Sequence, residues 1–142
     1  MTESELKNIF KDTLIKSEKR EARKGFYIDL KISDFVIDGI PFYVFFEMGK
    51  DDNTLKGVRL LCDWAYISYF GQFELLLTMK YGSPILNIVE EAKLGEDDQS
   101  ASWLLPSTQI ELQYRDRVLL GAGVLNIWYT DMRYIIKETD KL

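Results

Sequence analysis

The spacing of the apolar residues changes at Gly25, and this change constrains the fold more than any other feature of the chain. Before Gly25 the apolar residues recur every three or four positions, and after it they alternate with polar residues. The first spacing is typical of one face of an α-helix, and the second of one face of a β-strand. With 142 residues, the chain has room for one domain of ordinary size. We therefore predict a single α+β domain over 1–142, with an N-terminal helix over 1–24 and a sheet-and-helix body over 25–142.

The first residues carry the pattern of a helix start. Thr2-Glu3-Ser4-Glu5 has the spacing of a capping box, in which the Thr2 hydroxyl accepts from the Glu5 N–H. Lysine and arginine in the last turn, followed by glycine, are typical of a helix end, and Lys24 and Gly25 fit that position. One apolar stripe connects the two ends, and it comprises Leu6, Ile9, Phe10, Leu14 and Ile15.

The body contains signals for strands, a hairpin and a second helix. Asp38-Gly39 between apolar runs predicts a hairpin, and Phe42–Phe46 predicts a strand covered on both faces. Residues 68–81 predict a helix that stops at Gly82-Ser83-Pro84. Residues 94–100 predict an acidic loop, and the spacing within 131–142 is compatible with a short C-terminal helix. The predicted architecture is an antiparallel sheet of about six to seven strands with the N-terminal helix and one central helix packed on it.

The charge distribution favours a basic partner. The net charge is −5, but residues 1–24 hold seven Lys/Arg against five Asp/Glu, whereas residues 25–142 hold 11 against 18. An acidic body repels phosphates, so nucleic acid is not the partner that we expect. Acids interleave the basic run Lys16–Lys24 at helical spacings, and we interpret this run as a solvated helix end with ion pairs. No run of residues is long and apolar enough to span a membrane.

Composition excludes several classes of catalysis. The chain has no histidine, which removes Ser-His-Asp, Cys-His and zinc-histidine chemistry. Cys62 alternates with apolar residues on a predicted strand, and we interpret it as a core residue. Asp51-Asp52-Asn53 begins like a calcium loop, but Lys56 and Cys62 stand where an EF-hand needs glycine and glutamate. No phosphate-binding glycine loop is present either. We expect no metal and no cofactor.

The carboxylates leave an enzymatic alternative open. Glu96-Asp97-Asp98 is an acidic group without a partner signal. Glu47 and Glu111 stand on predicted strands, where two facing carboxylates could act as a glycosidase pair. The alternative function is therefore a carboxylate-based enzyme or a domain that binds a small molecule or a glycan.

The aromatic residues concentrate at one junction between a strand and a helix. Trp64, Tyr66, Tyr69 and Phe70 lie within seven positions of each other. Large, stiff side chains with polar tips are typical of recognition surfaces. The same residues could instead close the end of the core, and both interpretations remain open at this point.

Residues 34–130 resemble a loose family of small bacterial and phage-borne domains. The matching pieces are Asp38-Gly39, Phe42 to Phe46, the helix that ends Tyr81-Gly82-Ser83-Pro84, Trp103, Ile110-x-Leu112-x-Tyr114 and Leu125-x-Ile127-x-Tyr129. Many members of that family have an export signal where this chain has a helix. The resemblance implies the α+β fold and a role closer to adaptors or inhibitors than to enzymes.

Together these features predict a non-catalytic, cytoplasmic binding protein of the inhibitor, immunity or adaptor type. We expect it to bind a basic macromolecular partner, most simply a protein, through an acidic surface that contains aromatic residues. An apolar helix stripe or an edge strand would also permit self-association. The predicted contact residues are Trp64, Tyr66, Tyr69, Asp51, Asp52, Glu96, Asp97 and Asp98.

Overall fold

The chain is an α+β protein with antiparallel β-structure. The computed structural model describes residues 1–91, 97–117 and 121–132, and within 87–91 and at 97 it describes the backbone. Two helices and eight strands lie in these ranges. They are α1 (Glu3–Phe10), β1 (Ile15–Glu21), β2 (Phe26–Ile37), β3 (Ile40–Gly49), β4 (Leu55–Ala65), α2 (Ile67–Tyr81), β5 (Leu86–Glu91), β6 (Asp97–Leu104), β7 (Thr108–Arg117) and β8 (Ala122–Asp131).

The internal contacts divide the chain into two compact units. The first is Met1–Leu60 and the second is Leu61–Leu142, so the division falls inside β4. The interpretation of 1–142 as one domain stays a prediction. No helix in the described ranges is both long and apolar enough to cross a bilayer.

In the first unit, β1, β2 and β3 pair in antiparallel order. The predicted hairpin is confirmed, because Ile37 pairs with Ile40 across a two-residue turn. Asp38 and Gly39 occupy that turn with φ of 52° and 80°. Positive φ at both positions matches the right-handed twist of the flanking strands, and aspartate and glycine adopt it at low cost.

Helix α1 packs within the first unit through Leu6 and Phe10, whereas Ile9 of the predicted stripe is exposed. The predicted cap is confirmed, since the Glu5 N–H donates to the Thr2 hydroxyl at 3.3 Å. Leu6 is buried, and the rings of Phe10 and Phe46 lie 5.5 Å apart between centroids. The Leu55 N–H also donates to the Met1 carbonyl at 2.7 Å, which ties the start of the chain to β4.

The predicted extent of the N-terminal helix is wrong, because α1 ends at Phe10 and Ile15–Glu21 is a strand. The Thr13 and Leu14 N–H groups both donate to the Phe10 carbonyl, which closes the last turn. The following residues then pair with β2 from Ile15↔Lys31 to Glu21↔Tyr27. The spacing of the charged residues is typical of a helix. The backbone of this segment nevertheless bonds to β2, a partner that the local sequence does not reveal. This additional strand raises the number from the predicted six or seven to eight.

Two carboxylates of the first unit are buried beside cations from the β1 region. Asp29 is 5% exposed, and its Oδ2 accepts from Lys16 Nζ at 2.6 Å. Glu47 is 1% exposed, and Arg23 binds both of its oxygens, at 2.6 and 3.2 Å. Arg59 is half-buried near the same group; burial lowers its pKa, and the charge of Glu47 opposes that shift. The basic run thus neutralises buried acids instead of ending a solvated helix.

In the second unit, α2 packs on β6, β7 and β8. The predicted central helix is confirmed, and it buries Phe70, Phe73 and Leu77. It ends at Gly82, whose φ is 90° and whose N–H donates to the Thr78 carbonyl at 2.8 Å. The Trp103 indole N–H donates to the Gly82 carbonyl at 2.8 Å, so the helix end is attached to β6.

In the second unit, β8, β7, β6 and β5 lie side by side in this order, and each pair of neighbours is antiparallel. The predicted loop over 94–100 is wrong for 97–100, because these residues form the start of β6 and pair with β5. Their polar composition favours a loop, but the ladder bonds satisfy their backbone groups. Residues 92–96 lie outside the described residues, as does 133–142, which holds most of the predicted C-terminal helix.

We predict that Arg23→Met lowers the free energy of unfolding by about 2 kcal/mol, because it leaves Glu47 buried without its bidentate partner. The expected loss is smaller than for a fully buried ion pair, because Arg23 is partly exposed and Arg59 remains near Glu47. Urea unfolding would measure the change. The double variant Arg23→Met/Glu47→Leu should recover most of the loss.

Lys24→Met is the matched control, since Lys24 is exposed and adjacent in sequence. It should change the free energy of unfolding by less than about 0.5 kcal/mol. Equal effects of Arg23→Met and Lys24→Met would show that the Arg23–Glu47 pair does not hold this part of the fold.

Candidate functional site

Three aromatic residues, two exposed and one half-buried, lie where β4 ends and α2 begins. We call Trp64, Tyr66 and Tyr69 the aromatic junction. Trp64 is 52% exposed and Tyr66 is 50% exposed, whereas Phe70 is buried. The rings of Tyr66 and Tyr69 contact edge to face, with 5.5 Å between centroids. The core interpretation therefore holds for Phe70, whereas Trp64 and Tyr66 face solvent and remain candidates for recognition.

The local backbone explains why these side chains remain exposed. Cys62 and Ala65 are buried, so the last residues of β4 anchor the chain on both sides of Trp64. Tyr66 is the N-cap residue of α2 and makes no side-chain cap bond. The Tyr69 N–H donates instead to the Tyr66 carbonyl at 2.9 Å. The turn is thus formed by the backbone, and the Tyr66 ring is left for other contacts.

Acidic residues lie at the same end of the second unit. Arg117 donates from Nη1 to the Asp63 carbonyl at 3.2 Å, which connects the end of β7 to the residue before Trp64. The Asp116 N–H donates to Asp98 Oδ1 at 2.9 Å. Asp98 is thus bound next to Arg117, and Arg117 is bound next to the aromatic junction.

The remaining predicted acids have different positions. Asp97 pairs with Glu91 through the backbone at the start of β6. Glu96 lies outside the described residues. Asp51 and Asp52 belong to the first unit, where they form the turn between β3 and β4. Among the predicted acids whose side chains the structure describes in the second unit, Asp98 is connected to the aromatic junction.

Asp52 is engaged within its own turn. Its Oδ1 accepts from the Thr54 N–H at 3.1 Å and from the Thr54 hydroxyl at 2.8 Å, and its Oδ2 accepts from Lys56 at 2.8 Å. Lys56 first, and then the Thr54 bonds, lower the pKa of Asp52 to about 2. The carboxylate stabilises the turn, and Asp51 beside it is exposed.

Two of the catalytic candidates, Cys62 and Glu47, occupy structural positions. Cys62 is 5% exposed, and its thiol lies 3.6 Å from the Trp64 carbonyl. Burial raises the pKa of this thiol, which lowers the fraction of nucleophilic thiolate. Glu47, the candidate glycosidase carboxylate, is bound on both oxygens by Arg23. In the described ranges, no three acids or cysteines are grouped as a metal site would require.

Sequence reasoning missed the position of two cations of β1. Lys19 and Arg20 line a cavity of the first unit instead of a helix surface. The prediction of a helix over these residues gave no reason to expect them at a cavity beside a sheet, because side chains follow different directions on a helix and on a strand. The basic run itself was the available signal, and only its conformation was misjudged.

We predict that the Asp52 carboxyl titrates with a midpoint of about 2 in the folded protein, well below the ordinary 3.8. A lowered pKa stabilises the fold above the unfolded value, and this contribution is lost as the pH falls toward the folded value. Carboxyl ¹³C shifts of the folded species against pH would measure the midpoint. Lys56→Gln should raise it, and Lys50→Gln, in the same turn, should not. A wild-type midpoint near 3.8 would contradict the assignment.

We also predict that Cys62 is protected from thiol reagents in the folded state. Its burial and raised pKa should slow reaction with a disulfide reagent at pH 8 at least about a hundredfold relative to the urea-unfolded chain. Because the chain has one cysteine, absorbance of the released thiolate reports this residue alone. Similar rates in folded and unfolded protein would instead identify an accessible thiol.

Comparisons of this chain with known protein families, with curated proteins and with solved structures found no match. The resemblance drawn from the strand and helix-stop motifs therefore stays a prediction.

Proposed function

We propose that this protein is a non-catalytic, cytoplasmic binding protein of the inhibitor, immunity or adaptor type. Its partner is a basic protein surface, and the contact is centred on the aromatic junction. The observation that carries the proposal is the exposure of Trp64 and Tyr66, 52% and 50%, on a backbone that the fold holds in place.

Exposed aromatic residues support a protein partner for energetic reasons. Tryptophan and tyrosine are enriched among the few residues that supply most of the binding energy at interfaces. They bury a large area at a small cost in conformational entropy, because each has only two rotatable side-chain bonds. The outer face of α2 adds further exposed apolar area, with Leu75 61% and Met79 76% exposed. A partner that covers these residues would remove apolar surface from water.

Charge supports the choice of a basic partner. Residues 61–142 contain seven Lys/Arg and 12 Asp/Glu, a net charge of −5. Asp63 stands directly before Trp64 and is exposed, and Asp98 is connected to it through the end of β7. Charges around an apolar centre steer association and exclude partners of like charge more than they add affinity.

The test is a capture experiment with four tagged forms of the chain: wild type, Trp64→Ala, Tyr66→Ala and Tyr43→Ala. The lysate comes from the organism that encodes the chain, and bound proteins are identified by mass spectrometry at low and high salt. We expect one stoichiometric basic partner, and purified partner should bind Trp64→Ala about 30-fold more weakly than wild type, equivalent to about 2 kcal/mol.

Tyr43→Ala is the matched control, because Tyr43 is also an exposed aromatic residue, at 37%, but lies on β3 of the first unit. It should leave the affinity within about twofold of wild type. A partner that binds all four forms equally, or whose association rate does not fall with added salt, would count against this function.

A further inference from the structure

The first unit contains a cavity that the proposed function does not use. Its volume is about 300 Å³, which is within the size range of small-molecule sites. The lining residues are Lys19, Arg20, Glu21, Tyr27, Lys50 and Asn53.

An irregularity in β1 brings adjacent cations into this cavity. The pairing of β1 with β2 shifts register between Lys16 and Arg20. Regular strands direct successive side chains to opposite faces, and a bulge interrupts that alternation. Lys19 and Arg20 therefore both line the cavity. Across from them, the Lys50 N–H donates to the Gly25 carbonyl at 2.9 Å, which fixes the start of the β3–β4 turn.

Lys19 and Arg20 both rest on aromatic rings. Lys19 Nζ lies 4.2 Å from the centroid of Tyr27, and Arg20 Cζ lies 4.9 Å from that of Phe45. Cation–π contacts hold a cation in place without neutralising it. Neither residue forms an ion pair within the described part of the chain. The nearby basic residues differ, since Lys16, Arg23 and Lys56 are each bound to a carboxylate.

A neutral donor completes the lining. The Tyr27 hydroxyl donates to Asn53 Oδ1 at 2.9 Å, and the Asn53 amide nitrogen is itself a donor. The Tyr27 phenol is protonated at neutral pH, and burial raises its pKa further. Asn53 itself has a φ of 56°, a conformation that the turn imposes.

The charges of the lining match a dianion. Lys19, Arg20 and Lys50 contribute three positive charges, and Glu21, which pairs with Lys50, contributes one negative charge. The sum of +2 balances the negative charge of a phosphate monoester, which approaches −2 near neutral pH. Phosphate oxygens can accept hydrogen bonds from lysine, arginine and amide donors together. We propose that this cavity, the cationic pocket, binds the phosphate group of a small phosphomonoester.

The distribution of charge over the first unit argues for a small ligand instead of a nucleic acid. Residues 1–60 hold 11 basic and 11 acidic residues. A duplex-binding surface needs an extended stripe of cations to neutralise many phosphates. Here the net charge of the whole unit is zero, whereas the residues that line the cavity sum to +2.

A lysine-rich edge strand also protects a sheet from aggregation, and β1 pairs only with β2 in the first unit. Protection of this kind requires charge alone and predicts no saturable ligand. The two explanations therefore differ in a measurable way.

The test is an amide ¹H–¹⁵N NMR titration of the full chain with inorganic phosphate, with glycerol 2-phosphate and with glycerol, at constant ionic strength set by chloride. We expect saturable shifts at Lys19, Arg20, Lys50 and Asn53, with a dissociation constant on the order of 1 to 10 mM for inorganic phosphate. Glycerol 2-phosphate should bind at least as well, and glycerol should not bind.

Lys19→Gln and Arg20→Gln should each weaken phosphate binding about fivefold or more. The matched control is Lys80→Gln, because Lys80 also lies over a tyrosine, 5.3 Å from the Tyr81 centroid, but is not among the residues that line the cationic pocket. It should change binding by less than about twofold. Equal weakening by Lys19→Gln and Lys80→Gln, shifts that do not saturate, or phosphate binding without binding of the ester would overturn the proposal.

Discussion

Two buried carboxylates determine how the first unit is arranged. Asp29 and Glu47 are almost completely removed from water, and a buried carboxylate without a cation is costly. Lys16 and Arg23 stand at the two ends of the β1 region and neutralise them. The extended segment Ile15–Glu21 lies between these two cations. Lys16 also binds Glu3 of α1, so one lysine connects the helix, β1 and β2.

The same constraint creates the features that distinguish this surface. Because Lys16 and Arg23 are occupied by acids, the charges of Lys19 and Arg20 between them are left for other contacts. The register shift directs these two side chains to one cavity, and the rings of Tyr27 and Phe45 support them. Between Lys16 and Arg23, two cations thus line the cavity without a carboxylate partner among the described residues. This is the physical basis of the cationic pocket.

The second unit has a different character. Its core is a helix packed on strands, and α2 is held at its end by the Gly82 cap and the Trp103 bond. The aromatic junction lies at the other end of that helix, where backbone bonds form the turn and the rings of Trp64 and Tyr66 remain exposed. A rigid support beneath exposed aromatic residues reduces the entropy that binding would cost. This arrangement makes the junction the strongest candidate for recognition.

Part of the site could be predicted from sequence, because residue type alone indicated it. Trp64, Tyr66 and Tyr69 were identified by their concentration at one strand–helix boundary, but the sequence could not distinguish them from Phe70, which is buried. The acids could not be ranked in the same way. Asp52 is bound by Thr54 and Lys56, whereas Asp98 is connected to the end of β7, and neither fact follows from an acidic residue in a polar segment.

The sequence by itself determined the features that depend on neighbouring residues. These are the Thr2 cap, the Asp38-Gly39 turn, the end of α2 at Gly82, and the exclusion of histidine chemistry. Only the tertiary structure decided the conformation of 15–21 and the start of β6, since both segments form strands by bonding to distant partners. Local preferences differ by tenths of a kcal/mol per residue, and ladder bonds together with buried ion pairs outweigh them. Interactions between neighbouring residues therefore determine turns and caps, whereas long-range strand pairing determines which charged residues line the pocket.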